Sequence, residues 1–130
     1  MNFPIAIHKD SDSDYGVTVP DLPGCFSAGE TLEEAASMAR DAIQTHVEGL
    51  LLDGDPIPEP LPLEQHQGNP DFGGAIWMLV PVDLGKITGK AKRINITIPE
   101  PALMRIDQYA HAHGETRSGF LMRAALQAMR

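Results

Sequence analysis

The feature that most constrains this chain is a strictly alternating stretch near its C-terminus, Lys92–Ile98. Isoleucine occupies every second position and polar residues lie between, which predicts an extended strand with one apolar face. Pro99 cannot donate a hydrogen bond to a sheet, so the strand is predicted to end there. Two amphipathic helices are predicted to follow, over 100–113 and 117–130, with a turn at Gly114 between them. Residues 92–130 are therefore predicted to form a β-α-α unit.

This β-α-α unit is not expected to be stable as a single copy. A lone strand leaves both edges unpaired, and so short a segment buries little apolar surface. Antiparallel pairing with the strand of a second copy about a twofold axis removes both problems. The predicted core of this homodimer comprises Ile94, Ile96, Ile98, Leu103, Ile106, Phe120 and Leu121. The alternative is an ordinary C-terminal tail that docks on its own domain.

The polar face of the paired strands is predicted to contact DNA. A two-stranded ribbon fits the major groove, where arginine pairs with guanine and asparagine with adenine. Backbone N–H groups at the start of the second helix are expected to hold a phosphate. The residues predicted to bind DNA are Lys92, Arg93, Asn95 and Thr97 on the ribbon, and Thr116, Arg117 and Ser118 on the helix. The stretch resembles the ribbon-helix-helix family of DNA-binding domains, and Gly114–Ser118 resembles its inter-helix turn.

Charge is divided unevenly along the chain. Residues 1–90 hold four Lys or Arg against fifteen Asp or Glu, whereas residues 91–130 hold six against three. The formal net charge of −8 alone would argue against binding nucleic acid. The C-terminal part is nevertheless basic, and dimerisation doubles its positive charge. The acidic part is expected to repel DNA and to suit a basic partner.

Residues 1–85 are predicted to form an α+β domain with the element order β-β-β-α-β. The predicted elements are strands over 2–9, 15–19, 25–27 and 75–83 and a helix over 32–52. Thr31 and Glu34 have the spacing of a capping box at the helix start. The last strand is apolar on both faces, so it is expected inside the sheet. The proline-rich stretch 56–70 is predicted to be an extended loop, and residues 86–91 a linker to the domain 92–130.

Four segments of this domain resemble the HicB antitoxin family in order and spacing. They are Tyr15–Ser27, Gly29–Ala35, Ala42–Ile43 and Asp53–Pro58. The resemblance implies a degenerate ribonuclease-H-like fold that binds the HicA toxin, a small basic ribonuclease that cleaves mRNA. Together with the ribbon-helix-helix tail, it implies an antitoxin that represses its own operon by binding operator DNA. It also implies that the dimer can associate further, into a tetramer.

The toxin-binding surface is predicted on the second and third strands and the turn between them. An acidic domain can occupy the cationic surface with which a ribonuclease binds RNA, and tight binding needs an apolar anchor. The residues predicted to contact the toxin are Asp14, Tyr15, Asp21, Leu22, Pro23 and Phe26. The competing interpretation is that they form only a turn and part of the core.

The sequence predicts a binding protein that is not an enzyme and needs neither metal nor cofactor. No carboxylate falls at an inward position of a central strand, where a two-metal nuclease site would be built. Asp10, Asp12 and Asp14 begin like a calcium loop, but Tyr15 stands where that loop needs glycine. Cys25 is expected to be a buried thiol, because no histidine or lysine near it in sequence would activate it.

Two other functions stay open at this point. One is a stand-alone ribbon-helix-helix transcriptional regulator whose N-terminal domain senses a ligand or a protein, and the other is a residual metal-dependent nuclease. A small basic open reading frame beside the gene would favour the antitoxin. The single cysteine, together with the lack of a signal peptide pattern and of a long apolar run, predicts a cytoplasmic protein without membrane contact.

Overall fold

The computed structural model describes residues 1–86 and 91–129. The chain divides into two compact units, one of Asn2–Val82 and the other of Asp83–Arg130 together with Met1. Most of the predicted linker, residues 87–90, lies outside the described residues. In the part of the chain that the structure describes, no helix is long and apolar enough to cross a membrane.

The N-terminal unit is built on a four-stranded antiparallel sheet. Its strands are β1 (Asn2–His8), β2 (Tyr15–Thr18), β3 (Phe26–Gly29) and β4 (Ile76–Pro81). They lie in the order β3-β2-β1-β4, and Ile7 of β1 is paired with Val17 on one side and Ile76 on the other. Helix α1 (Leu32–Asp53) follows β3. The predicted α+β class and the β-β-β-α-β order of the longer elements are confirmed.

The prediction that the last strand lies inside the sheet is wrong, because β4 forms one edge. Among the described residues it pairs only with β1, which is buried from Phe3 to Ile7. In β4, by contrast, Ile76 and Leu79 remain about half exposed. An edge strand tolerates proline, and Pro81 is the last residue of β4. The apolar composition of β4 therefore reflects partial burial on both faces rather than a central position.

Helix α1 starts and ends as its sequence predicts. Thr31 Oγ1 accepts a hydrogen bond from the Glu34 N–H at 3.1 Å. The Glu34 carboxylate accepts one from the N–H of Glu30, one residue before the position of a standard capping box, also at 3.1 Å. Gly54 ends the helix with a φ of 73°, a conformation that favours glycine. The buried face consists of Ala35, Ala39, Ile43 and Val47.

The proline-rich stretch is predicted to be extended, but it contains a short helix, α2 (Leu63–Gln67), and a 3₁₀ turn over Pro70–Phe72. A helix of one turn has little stability of its own, so tertiary contacts must hold it in place. His66 of α2 stacks on Trp77 with ring centroids 6.3 Å apart. These contacts join residues distant in sequence, which explains why no periodic pattern predicts α2.

The C-terminal unit contains the two predicted helices, α3 (Glu100–Ala112) and α4 (Arg117–Ala128). Gly114 adopts a φ of 68° in the turn between them. Thr116 caps α4, since its Oγ1 accepts from the Gly119 N–H at 3.0 Å. The rings of Tyr109 and Phe120 pack the two helices together, with centroids 5.1 Å apart.

The strand predicted over Lys92–Ile98 is not formed within this chain. Residues 91–99, called the isoleucine stretch from here on, belong to neither a helix nor a strand. A β-strand requires ladder hydrogen bonds to a neighbour. None of the described residues of the chain pairs with this stretch, which therefore lacks the neighbour that a strand needs in this part of the structure.

Candidate functional site

The turn between β2 and β3 is held by three short-range backbone hydrogen bonds. Val19 N–H donates to the carbonyl of Cys25, Leu22 N–H to that of Val19, and Cys25 N–H to that of Leu22, at 3.0 to 3.3 Å. Gly24 has a φ of 85°, which an L side chain rarely adopts. The turn is therefore defined by its own backbone and presents its exposed side chains in a fixed arrangement.

Two of the six predicted toxin contacts serve the fold instead. Leu22 is completely buried, so the prediction that it anchors a partner is wrong. The Asp21 carboxylate is bonded within the N-terminal unit, because it accepts a hydrogen bond from the Leu61 N–H at 3.0 Å and pairs with His66 Nε2 at 2.9 Å. Asp21 thereby fastens the proline-rich stretch to the β2–β3 turn.

The other four predicted contacts are accessible. Phe26 is 66% exposed, an unusual state for a phenylalanine, and Pro23 and Asp14 are exposed as well. Tyr15 is half-buried, and Lys9 Nζ lies 5.5 Å from the centre of its ring. We call Pro23 and Phe26, which lie at the β2–β3 turn, the hairpin surface, because they offer the exposed apolar area that a partner-binding surface requires.

Asp14 and Tyr15 do not share this surface. Asp14 lies at the other end of β2, and Tyr15 lies on the opposite face of the sheet, since Phe26 is paired with Thr18 and Tyr15 with Gly29.

Exposed acidic side chains are spread over the loops and helices of the N-terminal unit. The exposed ones are Asp10, Asp12, Asp14, Glu30, Glu33, Glu34, Asp41, Asp53, Asp55, Glu59, Glu64 and Asp71. Within the described residues, no three potential metal-ligating side chains are grouped so that they could hold a metal ion. The arrangement suits long-range attraction of a cationic protein rather than coordination of a metal ion.

Cys25 is buried, as predicted. Its burial raises the pKa of the thiol, which keeps it protonated and unreactive at neutral pH.

The ribbon residues predicted to contact DNA lie on the isoleucine stretch and are all exposed. They are Lys92, Arg93, Asn95 and Thr97. Between them, Ile94 is 70% and Ile96 61% exposed, whereas Ile98 is half-buried. The structure thus places the polar and apolar candidates on one segment, but a single chain provides no second strand among its described residues to align them.

The helical part of the predicted dimer core is also incompletely covered. Leu103, Ile106, Phe120 and Leu121 are half-buried. Met104 and Tyr109 expose even more of their surface. The isoleucine stretch and the two helices thus carry several apolar side chains that the described chain leaves partly exposed. Exposed apolar side chains of this kind are typical of an association surface.

At the start of α4, two of the three predicted phosphate contacts are engaged within the chain. Thr116 donates its N–H and its hydroxyl to the carboxylate of Asp83, at 3.1 and 3.0 Å. Arg117 forms two hydrogen bonds with Asp107, from Nε at 2.9 Å and Nη2 at 2.8 Å. Ser118 remains exposed. Sequence reasoning missed both aspartates, because neither lies within the motif that predicts the phosphate site.

The Arg117–Asp107 pair shifts the pKa of both groups. The hydrogen bonds from Arg117 lower the pKa of the Asp107 carboxyl, and the same bonds raise the pKa of the guanidinium. A second pair, Arg123 with the buried carboxylate of Glu115, has two bonds of 2.9 Å, which raise the pKa of Arg123. This pair joins the inter-helix turn to the body of α4.

The profile of a protein family described as "HicB_like antitoxin of bacterial toxin-antitoxin system" matches residues 3–125. A protein of Haemophilus phage HP1 (strain HP1c1), described as an uncharacterized 14.9 kDa protein in the rep-hol intergenic region, is 47% identical over 127 residues. The matched region covers 96% of this chain and 95% of the phage protein. The similarity therefore extends over both units.

Two solved structures are similar in fold. The crystal structure of the Burkholderia pseudomallei antitoxin HicB matches with a TM-score of 0.82 and 48% identity, covering 100% of this chain and 99% of that chain. A chain of the HicA3 and HicB3 toxin-antitoxin complex matches with a TM-score of 0.56 and 31% identity, covering 64% of this chain and 99% of that chain.

Proposed function

The chain belongs to the HicB-like antitoxin family of bacterial toxin-antitoxin systems, and on that premise we propose that it binds and neutralises a HicA-type ribonuclease toxin. The likeness to a chain of the HicA3–HicB3 complex supports this choice of partner. The observation that carries the proposal is the exposed Phe26 within a strongly acidic N-terminal unit. Because such a toxin acts on mRNA, we place the protein in the cytoplasm.

The hairpin surface has the chemistry that binding a ribonuclease requires. A protein that cleaves RNA presents cationic side chains to the phosphates, and an acidic surface accelerates association with it. Charge alone gives little affinity, because exposed ion pairs are solvated and screened by salt. Phe26 and Pro23 supply apolar area that is removed from water on binding.

The test is co-expression with the product of the small basic reading frame next to the gene. Phe26→Ala in the full chain should weaken toxin binding by about thirtyfold or more, as expected for an aromatic hot spot, and should reduce growth rescue. Leu52→Ala is the matched control, since Leu52 is also exposed but lies at the end of α1. Failure of the intact chain to bind the toxin would refute the proposed function. Loss of binding with Leu52→Ala but not with Phe26→Ala would move the surface to α1.

We further propose that the C-terminal units of two copies form a ribbon-helix-helix dimer that binds operator DNA and represses the operon. In this arrangement the isoleucine stretches pair antiparallel, which covers Ile94 and Ile96 and turns Arg93, Asn95 and Thr97 toward the major groove. The exposure of both isoleucines and the basic charge of residues 91–130 support it. As the family resemblance implies, the proposal extends to a tetramer in which dimers are joined through their N-terminal units.

Footprinting on the promoter upstream of the gene tests this DNA contact. Arg93→Ala and Asn95→Ala should each cost roughly 1–3 kcal/mol and relax sequence preference. Gln108→Ala, an exposed polar substitution on α3, is the control and should leave the footprint unchanged. Full protection by the Arg93/Asn95 double variant would exclude readout by the ribbon. If the chain binds DNA but the co-expression test finds no toxin that it binds, the protein would instead be a stand-alone regulator.

We propose that the N-terminal unit is a degenerate ribonuclease-H-like domain without catalytic activity. Its carboxylates support this, because nearly all of them lie exposed in loops and on α1 rather than converging on one site. Incubation of the purified protein with RNA and with an RNA–DNA hybrid, in Mg²⁺ or Mn²⁺, tests the proposal. Cleavage that a chelator abolishes would refute it.

A further inference from the structure

A carboxylate of the chain itself is bound at the start of α4. Besides the two hydrogen bonds from Thr116, Asp83 accepts one from the Gly85 N–H at 2.9 Å. The first N–H groups of a helix have no partner within the helix and, with the helix dipole, they attract anions. The N-terminus of α4 is therefore already occupied by an anion that residues before α3 supply.

Gly119 leaves the space that Asp83 fills, and Gly85 lets the backbone after Asp83 come close to the first turn of α4. A Cβ added to Gly119 would collide with Asp83 Oδ1. One added to Gly85 would lie 2.7 Å from both the Gly119 nitrogen and Thr116 Oγ1. Real Cβ atoms do not approach other atoms so closely, so a side chain at Gly119 would displace the Asp83 carboxylate, and one at Gly85 would push the backbone of Gly85 away from the helix. This packing is separate from the hydrogen bonds and shows that the carboxylate is closely fitted to the first turn of α4.

The cation nearest this turn is also neutralised by the chain. Arg117, the first residue of α4, is held in a two-bond pair by Asp107 of α3. Asp83 and Asp107 thus mask the backbone N–H group and the guanidinium at the start of α4 that would otherwise attract a phosphate. A phosphate arriving there meets two carboxylates, and like charges at such short range repel each other.

We propose that Asp83 is an autoinhibitory clasp, whose carboxylate holds the phosphate position at the start of α4 and must be displaced when DNA binds there. The inference rests on the operator binding proposed above. It explains why a unit with a basic net charge keeps an acidic side chain at the site best suited to a phosphate. The clasp lowers affinity for DNA of any sequence, so it limits non-specific binding more than it alters base readout.

The first test measures affinity for a duplex that contains the upstream promoter, at several KCl concentrations. Asp83→Asn keeps the size of the side chain but removes its charge, so it should bind about threefold to tenfold tighter at low salt. The dependence of log K on log salt should become steeper by about 0.9 for each additional phosphate that the variant neutralises. Glu100→Gln is the matched control, because it removes the same charge from an exposed position of the C-terminal unit. Equal increases in affinity in both variants would show that only net charge matters and would overturn the clasp.

The second test does not depend on DNA. Inorganic phosphate is titrated into the ¹⁵N-labelled full chain, and the amide signals of Thr116 and Gly119 are followed. In Asp83→Asn these signals should shift and saturate, whereas in the wild type they should barely move. Equal shifts in the two proteins would overturn the clasp even if operator binding is correct. If neither the wild type nor Asp83→Asn binds the duplex while phosphate binding by the variant saturates, operator binding is refuted, and with it the displacement of Asp83 by DNA.

Folding of the variants is checked by circular dichroism and thermal unfolding. If Asp83→Asn does not fold, Asp83→Ser replaces it in both tests, because serine is smaller, carries no charge and still accepts a hydrogen bond from the Gly85 N–H. The same increase in affinity and the same phosphate-dependent shifts are expected. Their absence in a folded Asp83→Ser protein would overturn the proposal.

Discussion

Strand β1 and the isoleucine stretch carry the same sequence pattern and have opposite environments. Each places three large apolar residues at alternate positions, Phe3, Ile5 and Ile7 in β1 and Ile94, Ile96 and Ile98 in the stretch. The three in β1 have no exposed surface, whereas Ile94 and Ile96 are mostly exposed. The difference lies in the neighbours, since β1 is hydrogen-bonded to β2 and β4 and the stretch to no described strand.

An alternating pattern therefore predicts that a segment can form a strand with one apolar face. Whether the strand forms depends on whether neighbouring strands and covering residues are available. The N-terminal unit supplies two neighbouring strands and covering residues on both faces of β1. The described residues of the C-terminal unit supply two helices and no strand. Exposed isoleucines in a potential edge strand are prone to associate, and the proposed dimer pairs this stretch with an identical one about a twofold axis. The proposed dimer would give the isoleucine stretch the neighbouring strand that β1 finds within its own unit.

The largest expected effect is that of Ile96→Asp on the proposed dimer. The substitution would put one carboxylate per copy into an apolar core, at a cost of roughly several kcal/mol each. The dimer dissociation constant should rise at least about a thousandfold. Sedimentation equilibrium over a range of concentrations measures it.

Ile96→Val is the control for Ile96→Asp, because it keeps the apolar surface and should stay dimeric. In the aspartate variant the N-terminal unit should keep its circular dichroism and its unfolding transition. If Ile96→Asp sediments as the wild type does, the isoleucine stretch is not the dimer interface. It would then share the alternating sequence pattern of β1 but not its burial in a core.

The second-largest expected effect is the loss of stability when a buried side chain of β1 is shortened. Ile5→Ala removes buried methyl groups from the central strand and should lower the free energy of unfolding of the N-terminal unit by about 2–5 kcal/mol. The same substitution at exposed Ile94 should change that value by no more than about 0.5 kcal/mol. Urea unfolding followed by the fluorescence of Trp77, which lies in β4, reports on this unit. Similar losses from both substitutions would mean that the two stretches are buried alike.

The elements that the sequence predicts well are those with signals close along the chain. The end of α1 at Gly54 and the caps Thr31 and Thr116 each depend on residues within one turn, and the three predicted helices are found where expected. Helix α2 and the edge position of β4 depend on residues far apart in sequence. His66 contacts Asp21 across 45 residues, and the order of strands is a property of the whole sheet.

The same distinction applies to the candidate site residues. The sequence predicts Phe26 as an apolar contact with the toxin and the ribbon residues as polar contacts with DNA, and all of these side chains are exposed in the structure. It gives no warning that Leu22 is buried, because an apolar residue in a turn serves equally well as an anchor or as core. The bond between Asp83 and Thr116 spans 33 residues, and no motif in the α3–α4 turn indicates it.

A third effect, of intermediate size, concerns the contact between Asp21 and the proline-rich stretch, whose His66 stacks on Trp77. Asp21→Ala leaves His66 and the Leu61 N–H without their hydrogen-bond partner, which should cost about 1–3 kcal/mol. Thermal unfolding of the N-terminal unit measures the loss, and Asp71→Ala, at an exposed position, should show almost none. An unchanged stability of Asp21→Ala would mean that the proline-rich stretch stays in place without this contact.

The smallest effect is the pH dependence that the Arg117–Asp107 pair gives to the C-terminal unit. The pKa of Asp107 is lower in the folded chain than in the unfolded chain, because Arg117 donates to the carboxylate. Its stabilisation is therefore fully present above the ordinary aspartate pKa of about 3.9 and is lost as the pH falls through the lowered folded value. Asp107→Asn should flatten the acid side of the melting-temperature curve, and Asp12→Asn should not.

Both partners of this pair are largely exposed, so 1 M salt should remove most of the difference between the wild type and Asp107→Asn. The buried core of β1 gives no such salt dependence, because apolar burial is not screened. One experiment thus distinguishes the two units. Acid and salt should reduce the stability difference between the wild type and Asp107→Asn, and they should leave the difference between the wild type and Ile5→Ala unchanged. Parallel melting curves of wild type and Asp107→Asn from neutral to acidic pH would show that the pair contributes nothing measurable, as many exposed ion pairs do.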